Sequence, residues 1–248
     1  MELREILSTK RPTFDQNSWL PEVMEWMPTD AQEWVDDREE TVALVHEIPG
    51  GAVPTLFACH LDTVHTLDGY QQVKSLRGRP GDLHSPDGEC LGADDGAGIW
   101  LMLEMIAADI PGTYVFHVGE ERGCRGSRWL AVHRRDWLAG FQRAIGFDRP
   151  GTTDVVSHFA GHRGCSPEFV AELSWQLSSL LTGYELTPCR TGGLTDVRYY
   201  IDVIPECTNI SIGYHQQHRR DEWLDTNYLK ALRWAVLETF GDELMDSS

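Results

Sequence analysis

The chain has 248 residues, enough to enclose a substantial core in one domain or two small ones. Its 41% apolar and 24% charged residues are ordinary for a globular protein, and it holds no run of 18 or more apolar residues that would suggest a membrane span. A net charge of −18, with three lysines against 18 arginines, argues against a nucleic-acid backbone as partner, because phosphate binding needs a basic face.

The N-terminal MELREILSTKRPTF carries acidic residues and no apolar h-region, so it does not read as a secretory signal and a cytoplasmic location is expected. Six cysteines without a CxxC pair then read as reduced thiols. TVALVHEI (41–48) and PTLFACH (54–60) read as strands separated by the turn signal Pro49-Gly50-Gly51. The Gly-, Pro- and Asp-rich stretch 73–90 reads as a loop or hairpin inserted before a buried helix over 96–109. A strand over 113–119 and a helix over 126–140, with Ser127 as its cap, come next. Strands are expected over 143–147, 154–159 and 208–214, and helices over 166–181 and 227–240, the first of these with a Ser166 cap and Pro167 at its first position. Strands alternating with helices predict one α/β domain over 1–248, a three-layer sandwich with a mostly parallel central sheet. Trp129, Trp137, Trp175 and Trp234 sit at helical spacing and read as core.

The chemistry-bearing residues collect at strand ends. His60 and Asp62 follow one strand, Asp94-Asp95 precede a helix, and Glu120-Glu121 end another strand. Asp148 ends a third, and His215 and His218 follow a fourth. In open α/β sheets the ligand crevice lies beyond the carboxyl ends of the strands, so five segments point to one edge. Nitrogen and oxygen donors of this kind suit zinc, with cobalt or manganese as substitutes, and a carboxylate shared between two cations would make a two-metal site. Taken singly, each pair has a plain structural reading, and that reading stands for His65, Asp68, His84, His117, His133, His158 and His162.

The ordered set HLD, GADDGAG, GEE, GFD and a late H-x-x-x-E resembles the co-catalytic two-zinc peptidases, a group that includes aminopeptidases, peptidase T and the acylase and carboxypeptidase relatives. The resemblance spans residues 60–222. It implies that His60 binds one metal and that Asp62 holds the other imidazole nitrogen. Asp94 would bridge both ions, and the peptide bond that follows it is often cis in the family. Glu120 would be the general base, Glu121 a ligand of one ion and Asp148 a ligand of the other. The last ligand would be His218, four residues before Glu222, with His215 as its competitor. The implied reaction is hydrolysis of a peptide or similar amide by a water activated between two cations.

The chain departs from the family in two places. Leu194 intervenes in TGGLTD, which resembles the family's GGTD pocket loop, and only 42 residues (149–190) separate Asp148 from Thr191, where many relatives carry a lid domain. The catalytic domain is therefore expected alone, with Arg149 or Arg163, or a neighbour in a homo-oligomer, meeting a substrate carboxylate. Pairing with surface acids is the plain alternative for both arginines. N-acyl amino acid deacylation and glutaminyl cyclisation are competing reactions on the same site, and a non-catalytic metal-binding module is a further alternative. No HExxH, GxSxG or phosphate-loop motif is present, and nothing ties Cys124 or Cys165 to a base.

Overall fold

Every residue of Thr55–His60 is buried, and its side chains divide between two cores. Phe57 and Cys59 belong to one apolar cluster, Leu56 and Ala58 to another on the opposite face. This is the period-2 alternation of a strand covered on both sides. The protein, a computed structural model that describes residues 1–241, is built outward from this strand.

The main sheet has eight strands. In chain order they are β1 (Gln32–Val35), β2 (Thr41–Ile48), β3 (Thr55–His60), β6 (Gly112–His117), β7 (Arg143–Arg149), β8 (Asp154–Val156), β9 (Thr187–Cys189) and β10 (Glu206–Ser211). Across the sheet the order is β9-β8-β10-β7-β3-β6-β2-β1. The central four, β10, β7, β3 and β6, run parallel, while β1 and β2 on one side and β8 on the other join antiparallel. Between β3 and β6 the chain makes β4 (Lys74–Leu76) and β5 (Arg79–His84), the hairpin expected over 73–90. With β11 (Tyr214–His215) and β12 (Trp223–Asp225) they form a second, antiparallel sheet, β11-β12-β5-β4.

Helices α1 (Leu3–Ser8), α2 (Gln16–Trp26), α3 (Ala93–Ala107), α6 (Pro167–Leu180) and α7 (Thr226–Gly241) pack against one face. On the other lie α4 (Arg125–His133), α5 (Arg135–Leu138) and a 3₁₀ turn at Asp196–Tyr200. The result is the α/β three-layer sandwich with a mostly parallel centre. Helix α3 is buried on nearly all sides, as a helix between sheet and further helices must be. Ser166 caps α6 by accepting the Phe169 amide at 3.1 Å.

Several expectations need correction. The helix expected over 126–140 breaks at Arg134 into α4 and α5, and its N-cap is Cys124 at φ 57°. Ser127 does not cap it; its hydroxyl donates to the Cys124 carbonyl. The strand expected over 154–159 stops at Val156, where Ser157 turns to bond the Cys189 carbonyl and the chain folds into a short hairpin. Trp175 and Trp234 are exposed at 68% and 55%, so neither is core, and Trp129 and Trp137 are half-buried. All six cysteines are free, and among the described residues no helix is long and apolar enough to cross a membrane.

Candidate metal centre

The parallel strands all end on one side, and there the chain collects its buried carboxylates. His60 is the last residue of β3, Asp148 lies near the end of β7, and Glu120 and Glu121 follow β6 after Gly119, whose φ of 85° suits glycine. Asp94 opens α3 behind Gly92, and the Asp94–Asp95 peptide bond is cis. His218 comes from the loop between β11 and β12, with φ at 63°, a conformation uncommon for a residue with a side chain.

These residues meet in two groups that share Asp94: His60, Asp94 and Asp148 in one, Asp94, Glu121 and His218 in the other. Asp94 Oδ1 lies 3.0 Å from His60 Nε2, and Asp94 Oδ2 lies 3.1 Å from His218 Nε2. Asp148 Oδ1 is 3.7 Å from His60 Nε2, and Glu121 Oε1 is 2.9 Å from His218 Nε2. Glu120 stands beside them, close enough to His60 and Glu121 to form a third group. His215 is elsewhere, stacked on the Trp223 ring at 4.1 Å.

The electrostatics follow from the crowding. Burial works against ionising Asp94, yet hydrogen bonds to His218 and His60 outweigh it and hold the carboxyl below the usual range. Hydrogen bonds to Asp94 and Glu121 push His218 up to about 10 and, against burial, those to Asp148 and Asp94 raise His60 well above its ordinary value. Burial, with Asp148, Asp196 and Asp94 adding to it, pushes Glu120 up to about 9. The ion pairs that Asp94, Glu121 and Asp148 make are with the two histidines. Glu121 Oε1 is buried without a well-directed hydrogen-bond donor despite the nearby imidazole. Buried carboxylates need a counter-charge, and a set of three carboxylates and two imidazoles matches the oxygen and nitrogen donors of zinc or a similar divalent cation. The residues present therefore fit such a group.

The supporting contacts are specific. His60 Nδ1 donates to the backbone carbonyl of Asp62 at 2.9 Å, which leaves Nε2 facing the carboxylates. The expected partner was the Asp62 carboxylate, which lies 3.8 Å away and serves another purpose. It accepts the amides of Gly119 at 2.8 Å, Glu120 at 3.1 Å and Glu121 at 3.3 Å, and the Thr13 hydroxyl at 2.5 Å. Asp62 thus shapes the loop that carries both glutamates. Asp148 is held by the Thr195 hydroxyl at 2.7 Å and the Tyr214 hydroxyl at 3.0 Å, and its main chain bonds Asn209. The Asp95 side chain belongs to none of the three groups and accepts the amides of His60 and Gly98.

Thr13, Asn209 and Tyr214 carry no sequence signal, since each acts through residues distant in the chain. A cavity of about 170 Å³ opens over the centre, lined by Asp94, Glu120, Asp148, Thr195 and His218 and, further out, by Val156, Phe159 and Leu194. Arg149 also lines it, but its guanidinium is engaged by Asp154 at 2.7 and 3.0 Å. Arg163 is exposed and borders a separate cavity with His158 and Arg190.

Neither a family model nor a curated protein matches the sequence. Solved structures do match the fold over nearly its whole length. A tripeptidase from Staphylococcus aureus superposes with a TM-score of 0.77 at 15% identity, covering 98% of this chain and 97% of that one. The chain shares its fold with this tripeptidase. Aminopeptidase PepT from Bacillus cereus shares this fold with a TM-score of 0.70 at 14% identity, covering 98% and 97% of the two chains. The TET1 peptidase of Pyrococcus horikoshii, which can assemble into a tetrahedron or a large octahedral shell, shares it with a TM-score of 0.71 at 16% identity, covering 96% and 98%.

Proposed function

We propose that this chain is a metal-dependent peptidase of the aminopeptidase type, working as one catalytic unit with two divalent cations, zinc foremost. The observation that carries the reading is Asp94, whose two carboxylate oxygens each face a different histidine. His60 and Asp148 would hold one cation with Asp94, and Glu121 and His218 the other with the same carboxylate. When bound, the two cations would polarise the scissile carbonyl and lower the pKa of the attacking water.

The rest is the work of the chain. Glu120, on the cavity wall and not needed by either cation, would be returned to its ionised form by the cations' charge; it then takes the proton of the attacking water and hands it to the leaving amine. Asp62, by accepting the Glu120 amide, keeps that carboxyl at the right height. At the cavity's edge Asp154 neutralises Arg149. With that arginine engaged, the cavity wall offers, among the described residues, no free guanidinium to a carboxylate beside the scissile bond, which supports aminopeptidase action over deacylation. Assembly of the TET1 neighbour extends the proposal to self-association, which light scattering would measure.

Digestion of a peptide library with zinc, cobalt or manganese added back, read by mass spectrometry, tests the reaction. Free peptides should lose residues from the amino end while N-acetylated copies persist. Cleavage of acylated substrates alone, or release of ammonia from N-terminal glutamine, would replace this reading with deacylation or cyclisation.

A further inference from the structure

Arg11 is fully buried in an acidic protein, yet it makes no ion pair among the described residues. Its guanidinium is used on main-chain carbonyls. Nε donates to Leu61 O at 2.6 Å, Nη1 to Ile6 O at 2.7 Å and Thr9 O at 2.9 Å, and Nη2 to Gly92 O at 3.3 Å. Leu61 lies between His60 and Asp62, and Gly92 stands two residues before Asp94. One planar side chain therefore bonds both loops that carry the histidine and the shared carboxylate.

The main chain around Arg11 reinforces the link. The Thr63 amide donates to Arg11 O at 2.7 Å, and the Thr13 amide to Thr63 O at 3.0 Å. Thr13 then reaches the Asp62 carboxylate. Burial lowers the guanidinium's pKa to about 10, with Asp95 and Asp62 opposing the shift, so it is charged at neutral pH. Isolating a cation from water costs several kcal/mol, a cost that holding α1 in place does not require. What arginine offers here is a rigid fork wide enough to span two loops; the ammonium of lysine is a single point with three donors.

We propose that Arg11 is a positioning residue of the cation centre, setting the spacing between His60 and Asp94 by tying Leu61 to Gly92. This rests on reading the cluster as a cation centre. The segment that follows α1 then belongs to the centre's supporting frame, although none of its residues faces the cavity. Residues that orient ligands in this way change metal affinity by about 10- to 100-fold when removed.

Cobalt(II) titration of the full chain, followed by calorimetry and visible absorption, tests the assignment. Wild type should take up about two ions per chain; absence of binding would sink the cation-centre reading itself. Arg11→Lys and Arg11→Met should bind cobalt at least ~10-fold more weakly, with an altered absorption band. Tyr114→Phe is the control, because it removes another buried hydrogen bond, to Ile110 O at 2.7 Å, and should keep wild-type affinity and spectrum. Gly96→Ala serves if the Arg11 variants do not fold: its Cβ would stand 2.9 Å from Leu7 Cδ2 and 3.2 Å from Arg11 Nη2, pressing on both α1 and the fork without deleting the guanidinium. Adding Leu7→Ala, which relieves the first contact, shows which of the two matters. Gly96→Ala should lose affinity several-fold and keep the loss when Leu7→Ala is added. Wild-type affinity and spectrum in folded Arg11 variants, or in Gly96→Ala where those do not fold, would overturn the positioning role.

Discussion

Glu222 holds Asp94 from behind: its Oε1 accepts the Asp94 amide at 3.0 Å. The other oxygen accepts the Leu91 and Gly92 amides at 2.8 and 3.0 Å, so one buried carboxylate fixes the whole approach to α3. Strand β12 begins at the next residue, Trp223, which pairs with His84 of β5, so the second sheet delivers Glu222 to this position. In Glu222→Gln, one end of the amide would present a donor to a backbone donor, an arrangement that costs about 1–3 kcal/mol. The variant should unfold at lower temperature and bind divalent cations at least ~10-fold more weakly. Calorimetric titration checks this, and unchanged affinity would show that Asp94 needs no such support.

Glu120→Gln separates catalysis from binding. The side chain lines the cavity, while His60, Asp148, Glu121 and His218 supply the two sets around Asp94. Glutamine keeps the size and cannot take a proton, so turnover should fall by about 10²- to 10⁴-fold while the cation content stays at the wild-type value. Elemental analysis beside a peptide assay reads both quantities. Full activity in this variant would eliminate Glu120 as the base.

The meeting of His60, Asp94, Glu121, Asp148 and His218 at one edge was legible because apolar runs display strand ends, and a parallel sheet gathers those ends on one side. What each neighbour does was less legible. Asp62 was expected on the imidazole, but its carboxylate meets amides 57 to 59 residues later in the chain, a contact with no local pattern. Helix α2 contains Pro21, which removes an internal donor and masks the helical signal. Periodicity placed Trp175 and Trp234 on helices without revealing that both face outward. Arg11, the most hidden cation in the chain, looks in sequence like any surface arginine.

The place of Asp94 in both groups gives a stoichiometric test of the proposed bridge. Both sets of donors lose a member in Asp94→Ala, whereas Asp148→Ala removes one from the His60 set alone. Asp94→Ala should retain fewer than one cation per chain, and Asp148→Ala should retain one of about two. Mass spectrometry under native conditions counts them. A full complement in Asp94→Ala would refute the bridge.

His65 provides a pH-dependent stability that is independent of the donors. It is buried between the Thr63 hydroxyl at 2.7 Å and the Cys90 carbonyl at 3.1 Å, a pair that suits a neutral ring donating from Nε2 and accepting at Nδ1. Burial, followed by the charge of Arg11, lowers its pKa from 6.5 to about 4. The unfolded chain therefore binds a proton between pH 6.5 and 4 that the folded chain refuses, and stability must fall with pH across that window. The contribution is complete above 6.5, lost progressively down to about 4, and unchanged below; its full size is on the order of 3 kcal/mol. His65→Gln keeps a donor for Cys90 but cannot titrate. Urea denaturation of both proteins between pH 7 and 4 should show the wild type losing more stability than the variant, and parallel pH profiles would remove His65 as the cause.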